Sequence, residues 1–144
     1  MKDGDQFGYS VSVFEYFPII GSCYCDITKG RVYLNKIFFG EWKYHQKVQA
    51  KNGSDGNGFS FSAEIYDKNM IIGSHNKDDG RVVYIVTMQG KTWKEETKLT
   101  GIDGASGDQF GSSVAISRDT LIVGDSGRDE YGGGTNMFVL AGYG

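Results

Sequence analysis

The sequence has one proline, two cysteines and two histidines in 144 residues. With Pro18 as the only proline, nearly every backbone amide is free to donate, which suits strand ladders and excludes a proline-rich linker. Cys23 and Cys25 stand one residue apart on an expected strand end, where a disulfide between them would be strained. No disulfide framework is therefore expected. The two are read as free thiols or as partners to another chain, and they do not fix the redox compartment. His45 and His75 give no metal-histidine spacing. Basic residues are in no excess, with 15 Lys+Arg against 18 Asp+Glu and a formal charge of −3, which argues against nucleic acid or an anionic membrane as the main partner. No apolar run approaches the length of a bilayer span, and none follows Met1-Lys2-Asp3-Gly4, so neither membrane insertion nor a signal peptide is expected.

What the sequence has in quantity is glycine, at 22 residues, and aromatic side chains, at 14%. Such a composition fits many short strands joined by tight turns. The pentapeptide Gly4-Asp5-Gln6-Phe7-Gly8 recurs as Gly107-Asp108-Gln109-Phe110-Gly111. A third copy appears once positions are compared. Phe7, Phe59 and Phe110 each precede by the same distance a glycine that follows an apolar pair: Ile19-Ile20-Gly21, Ile71-Ile72-Gly73 and Ile122-Val123-Gly124. The unit is about fifty residues long, a period characteristic of propellers and solenoids, in which repeats divide the core among themselves.

One repeat domain, 1–144, is thus expected, with units at 3–54, 55–106 and 107–144. Each opens with a Gly/Asp-rich loop, then an alternating first strand rich in small residues such as Ser10, Ser12, Ser60, Ser62 and Ser113. Short turns at Glu15-Tyr16, Asp67-Lys68-Asn69 and Arg118-Asp119 lead to apolar second strands ending at Gly21, Gly73 and Gly124, which read as buried on both faces. A polar loop of variable length follows, then a third strand and, after Phe39-Gly40 or Gln89-Gly90, a fourth opened by Trp42 or Trp93. The charged positions of that fourth strand, Lys43, Lys47, Lys94, Glu96 and Lys98, suit an exposed edge. The third unit lacks its fourth strand. Trp42 and Trp93 recur with the period and are expected to be structural, between neighbouring units.

Phe7-Gly8, Phe110-Gly111, the three periodic glycines, Gly30-Arg31-Val32-Tyr33, Trp42, Trp93 and Lys98-Leu99 together resemble the FG-GAP repeat of integrin alpha-subunit-like β-propellers. The resemblance implies an all-β fold of four-stranded antiparallel blades, of which about three are present, as a partial propeller or part of a larger one. Two departures stand out. The second unit has Phe59-Ser60 in place of Phe-Gly, and the stretches after the periodic glycines read Gly21-Ser22-Cys23, Gly73-Ser74-His75 and Gly124-Asp125-Ser126. Family members that bind calcium carry an Asp/Asn-rich loop between the first two strands, where this chain has only short turns, so that calcium site is not carried over.

The chain contains no constellation for catalysis. His75 with Asp78 or Asp79 would be the nearest thing to an acid–base group, but no nucleophile elbow or phosphate loop accompanies it, and an enzyme is not expected. Gly132-Gly133-Gly134 reads as a hairpin connection. Asp125, Asp129 and Glu130 in the long third loop, and Asp78 and Asp79 in the second, are carboxylates of the kind a hard cation takes. Their spacing matches no complete calcium loop, solvated turns are the simpler reading, and no cofactor is expected beyond a calcium candidate at Asp125 and Asp129. Asn52-Gly53-Ser54 is a glycosylation triplet if the chain is secreted.

The expected function is a non-catalytic, extracellular or cell-surface interaction or adhesion module. It would bind protein or glycan through loops of one propeller face, with His75, Asp78, Asp79, Asp125, Asp129 and Glu130 as the loop residues. The alternative is a structural protein that self-assembles by completing its open blades between chains.

Overall fold

The computed structural model describes residues 6–23, 30–51, 59–74, 82–101, 109–126 and 134–139, with 136–139 described by backbone alone. These residues form strands and turns and no helix. The first sheet runs β1 (Phe7–Phe14), β2 (Phe17–Ser22), β3 (Arg31–Phe38) and β4 (Glu41–Val48) in sequence order. The second repeats it with β5 (Phe59–Tyr66), β6 (Asn69–Ser74), β7 (Val82–Gln89) and β8 (Thr92–Thr100), and the third has β9 (Phe110–Ser117), β10 (Thr120–Asp125) and β11 (Gly134–Val139). All neighbouring strands pair antiparallel. The expected strand order agrees with this arrangement.

Two-residue hairpins need left-handed backbone to match the twist of the flanking strands. Glu15, Asp67 and Arg118 provide it at the three equivalent turns, with φ of 50°, 52° and 53°. The Phe-Gly position has its own backbone reason. Phe7 pairs with Ser22 but Ser10 pairs with Gly21, and the same slip separates Phe59 from Ser62 and Phe110 from Ser113. The strand bulges there, and the residue after the phenylalanine adopts positive φ: 91° at Gly8, 77° at Ser60 and 87° at Gly111. Glycine takes that conformation without cost, whereas Ser60 takes it under strain.

The sheets stack face to face, with β1, β5 and β9 as successive neighbours on one side of the stack. Apolar side chains fill two seams. Ile19, Val32, Leu34 and Val48 of the first sheet, with Ala50 just past β4, meet Phe59, Ala63, Ile65, Met70, Ile72, Tyr84, Val86 and Trp93 of the second. Ile71, Val83 and Ile85 of the second sheet then meet Phe110, Ile116, Leu121 and Val123 of the third. Of the three second strands expected to be buried on both faces, only β6 is, with Ile71 and Ile72 contributing to opposite seams; β2 leaves Ile20 half-buried and β10 leaves Ile122 exposed, because no described neighbouring blade covers their outer faces. The two tryptophans part company: Trp93 lies in a seam, while Trp42 is largely exposed on the outer face of the first sheet.

Candidate functional site

Antiparallel order sorts the connections by length. Every two-residue turn, between β1 and β2, β3 and β4, β5 and β6, β7 and β8, and β9 and β10, lies at one end of the sheets. Every longer connection, within a unit or between units, lies at the other. The loops chosen from sequence all belong to the second end. Asn52, His75, Asp78, Asp79, Asp129 and Glu130 lie outside the described residues, as does Cys25, and Asp125 is the one candidate whose geometry is described.

Asp125 closes β10 opposite Phe110, and its Oδ1 accepts the backbone N–H of Gln109 at 2.7 Å. Gln109 in turn accepts the Ser126 hydroxyl on its side-chain oxygen at 2.6 Å, and its carbonyl receives the Ser112 N–H at 2.9 Å. A tight turn with Gly111 at its third position is the result, and positive φ there is what such a turn requires. The first unit repeats this: the Cys23 thiol donates to the Gln6 side-chain oxygen at 3.6 Å, and the Gln6 carbonyl receives the Tyr9 N–H at 3.2 Å. The glutamine of the repeated pentapeptide thus ties the loop end of β1 and of β9 to the residue two positions past the periodic glycine. Asp125 and Cys23, singled out from sequence for a cation and for intermolecular pairing, both take part in this tie.

The described residues contain no group of three or more His, Cys, Asp or Glu side chains placed to hold a metal ion. At the turn end, an open groove of about 260 Å³ is lined by Tyr66, Asp67, Asn69, Arg118 and Asp119, between the hairpin turns of the second and third sheets. Two carboxylates and a guanidinium make it polar and of mixed charge, but it contains no histidine, cysteine or serine to act as a nucleophile. Sequence reasoning gave these residues to backbone geometry, since Asp and Asn are the usual occupants of tight hairpins. Only the contact between two such turns makes the groove, and no spacing within one unit signals it.

Compared with known families, residues 93–137 match the FG-GAP repeat. The match runs from Trp93 on β8 to Met137 on β11, taking the outer strand of the second sheet together with the third. FG-GAP repeats build β-propeller blades, and the three antiparallel sheets are blades of that kind. No match emerges among curated proteins.

Proposed function

We propose that this FG-GAP-repeat chain is a non-catalytic interaction module of an extracellular or cell-surface protein, binding a protein or a glycan through the longer connections at one end of its blades. The separation of tight turns from long polar connections carries the reading, because a rigid scaffold that gathers its variable loops at one end presents a surface able to vary without disturbing the core. FG-GAP repeats are generally non-catalytic and typically occur in extracellular proteins, which supports the same reading. No described helix is long and apolar enough to cross a membrane. His75, Asp78, Asp79, Asp125, Asp129 and Glu130 belong to the connections at that end, and Asn52, in the connection between β4 and β5, is the glycosylation candidate.

The test is binding of the full chain to a printed glycan panel and to intact cell surfaces, beside two variants in which residues 75–79 or 127–133 are replaced by Gly/Ser of equal length. Binding lost in either variant, with thermal unfolding unchanged, is expected. Binding that survives both replacements would overturn the assignment.

A second reading, a structural protein that assembles by completing open blades between chains, is favoured by the exposed aromatic and aliphatic side chains on the outer face of the first blade.

A further inference from the structure

The two seams share one pattern, and each has two unlike sides. The side a blade turns towards its successor carries a serine, an isoleucine and a glycine: Ser10, Ile19 and Gly21 in the first blade, and Ser62, Ile71 and Gly73 in the second. The serine donates across the seam, Ser10 Oγ to the Ser60 carbonyl at 2.9 Å and Ser62 Oγ to the Gly111 carbonyl at 2.8 Å. The glycine makes room, because a Cβ at Gly21 or Gly73 would fall against that same carbonyl. The side a blade turns towards its predecessor carries the bulge phenylalanine, two apolar residues of its first strand and, in the second blade, a tryptophan: Phe59, Ala63, Ile65 and Trp93 in the second, and Phe110, Val114 and Ile116 in the third.

Both sides recur, uncovered, at the two outer faces. Ser113, Ile122 and Gly124 repeat the first set on the third blade. Ser113 is exposed and donates to no described residue, and Ile122 is 38% exposed where Ile19 and Ile71 are at 0%. Phe7, Val11, Val13 and Trp42 repeat the second set on the first blade at 44, 67, 61 and 59% exposed, against 1, 5, 3 and 3% for Phe59, Ala63, Ile65 and Trp93. Residue type is nearly constant across the equivalent positions, so burial follows the presence of a neighbouring blade. The Gly8 carbonyl stands where Ser60 and Gly111 accept their hydrogen bonds, at the same positive-φ bulge.

We propose that a second copy of this chain docks head to tail on these faces, its Gly8 carbonyl accepting the Ser113 hydroxyl and its Phe7, Val11, Val13 and Trp42 covering Ile122 and Gly124. The occupant follows from continuity. The two uncovered faces are the two halves of a seam that the chain already builds twice, so the surface complementary to each is the other. The inference rests on the assembly reading and specifies it as contact between blade faces, not as pairing of strand edges. The halves differ, so the contact is heterologous, and each copy offers one of each.

The experiment is the mass of the full chain by sedimentation, from dilute to concentrated solution, with Val11→Asp and Ile122→Asp as separate variants and thermal unfolding as the check on folding. Both positions are exposed in the single chain, so each variant keeps its fold. The mass of the parent protein is expected to rise with concentration from 15.9 kDa towards a dimer or longer head-to-tail chains. Each aspartate should weaken that association by at least about tenfold, since it places an unpaired charge in a closed seam. Mixing the two variants should restore a dimer, because Val11→Asp keeps an intact Ile122 face and Ile122→Asp keeps an intact Val11 face. Gly124→Ala, which fills the slot for the incoming carbonyl, should weaken association and leave unfolding unchanged. Association insensitive to all three substitutions would overturn face docking and leave assembly by strand edges. A parent protein monomeric at every concentration would overturn both.

Discussion

The side chain of Gln46 clasps the backbone of Trp93: its Nε2 donates to the Trp93 carbonyl at 2.8 Å, and its Oε1 accepts the Trp93 N–H at 2.8 Å. An amide presents the same donor and acceptor as a peptide unit, so Gln46 acts on β8 as one residue of an extra strand would. The Lys51 N–H, bound to Glu95 Oε2 at 3.1 Å, adds a second tie along the same edge. The outer strands of two blades, each an open edge by itself, are joined at this point by side chains.

Gln46→Ala should therefore cost about 1–3 kcal/mol, the range for leaving partly buried backbone groups without their partners. Gln46→Glu keeps the acceptor and loses the donor, setting a carboxylate against a carbonyl, and should cost at least as much. Urea unfolding with an unchanged slope is the measurement, and a midpoint that does not move in either variant would show the clasp to be idle.

Ser60 is the one copy of the Phe-Gly position that is not glycine. It holds a φ of 77°, is fully buried, and its hydroxyl has no hydrogen-bond partner among the described residues. Ser60→Gly should stabilise the fold by about 1–2 kcal/mol, the relief of left-handed strain and of an unpaired buried hydroxyl less the backbone entropy of glycine. The reverse change, Gly111→Ser, should destabilise by about 1–3 kcal/mol, because φ is 87° there and a Cβ would stand 3.1 Å from Val83 Cγ2. Thermal melts of the two variants should move in opposite directions.

Alanine at the periodic glycines should have unequal effects. At Gly73 the added methyl would meet the Gly111 carbonyl and the Ser62 hydroxyl, and at Gly21 the Ser60 carbonyl and the Ser10 hydroxyl. A backbone oxygen cannot move aside without opening the seam, so a cost above about 3 kcal/mol is expected at both, or failure to fold. At Gly124 the close neighbour is the Ser113 hydroxyl alone, and a serine rotamer can turn away. Gly124→Ala should cost less than about 1 kcal/mol in dilute solution.

Trp93→Ala should cost about 3–5 kcal/mol, the usual loss for a buried aromatic. Trp42→Ala, at the same place in the unit but on an uncovered face, should change stability by less than about 1 kcal/mol when the protein is dilute. Equal effects would mean that the first blade is covered in solution even at low concentration.

Much of this architecture is legible in the sequence because its causes are local. Turn positions at Glu15, Asp67 and Arg118, the apolar second strands and the fifty-residue period follow from residue type and spacing, and the strands fall where they imply. The opposite fates of Trp42 and Trp93 do not follow, since burial there is decided by a neighbouring blade that no window of sequence contains. The pentapeptide glutamine was equally hidden: Gln6 and Gln109 look like surface residues until their partners, Cys23 and Ser126, come round on the end of the second strand. At the candidate site, the carboxylate of Asp125 reads as a cation ligand by composition and is, by geometry, the acceptor for Gln109.

The stacking of three blades through two seams also sets an order of loosening. The second blade is sheltered on both faces, and β6 sends Ile71 into one seam and Ile72 into the other. In a stack whose cohesion passes only between neighbours, the outer members open at the cost of one interface and the inner member at the cost of two. Amide protons of β6 and β7 should therefore be the last to exchange with solvent deuterium. Those of β1 and β11 should go first, because the protein comes apart from its ends inward.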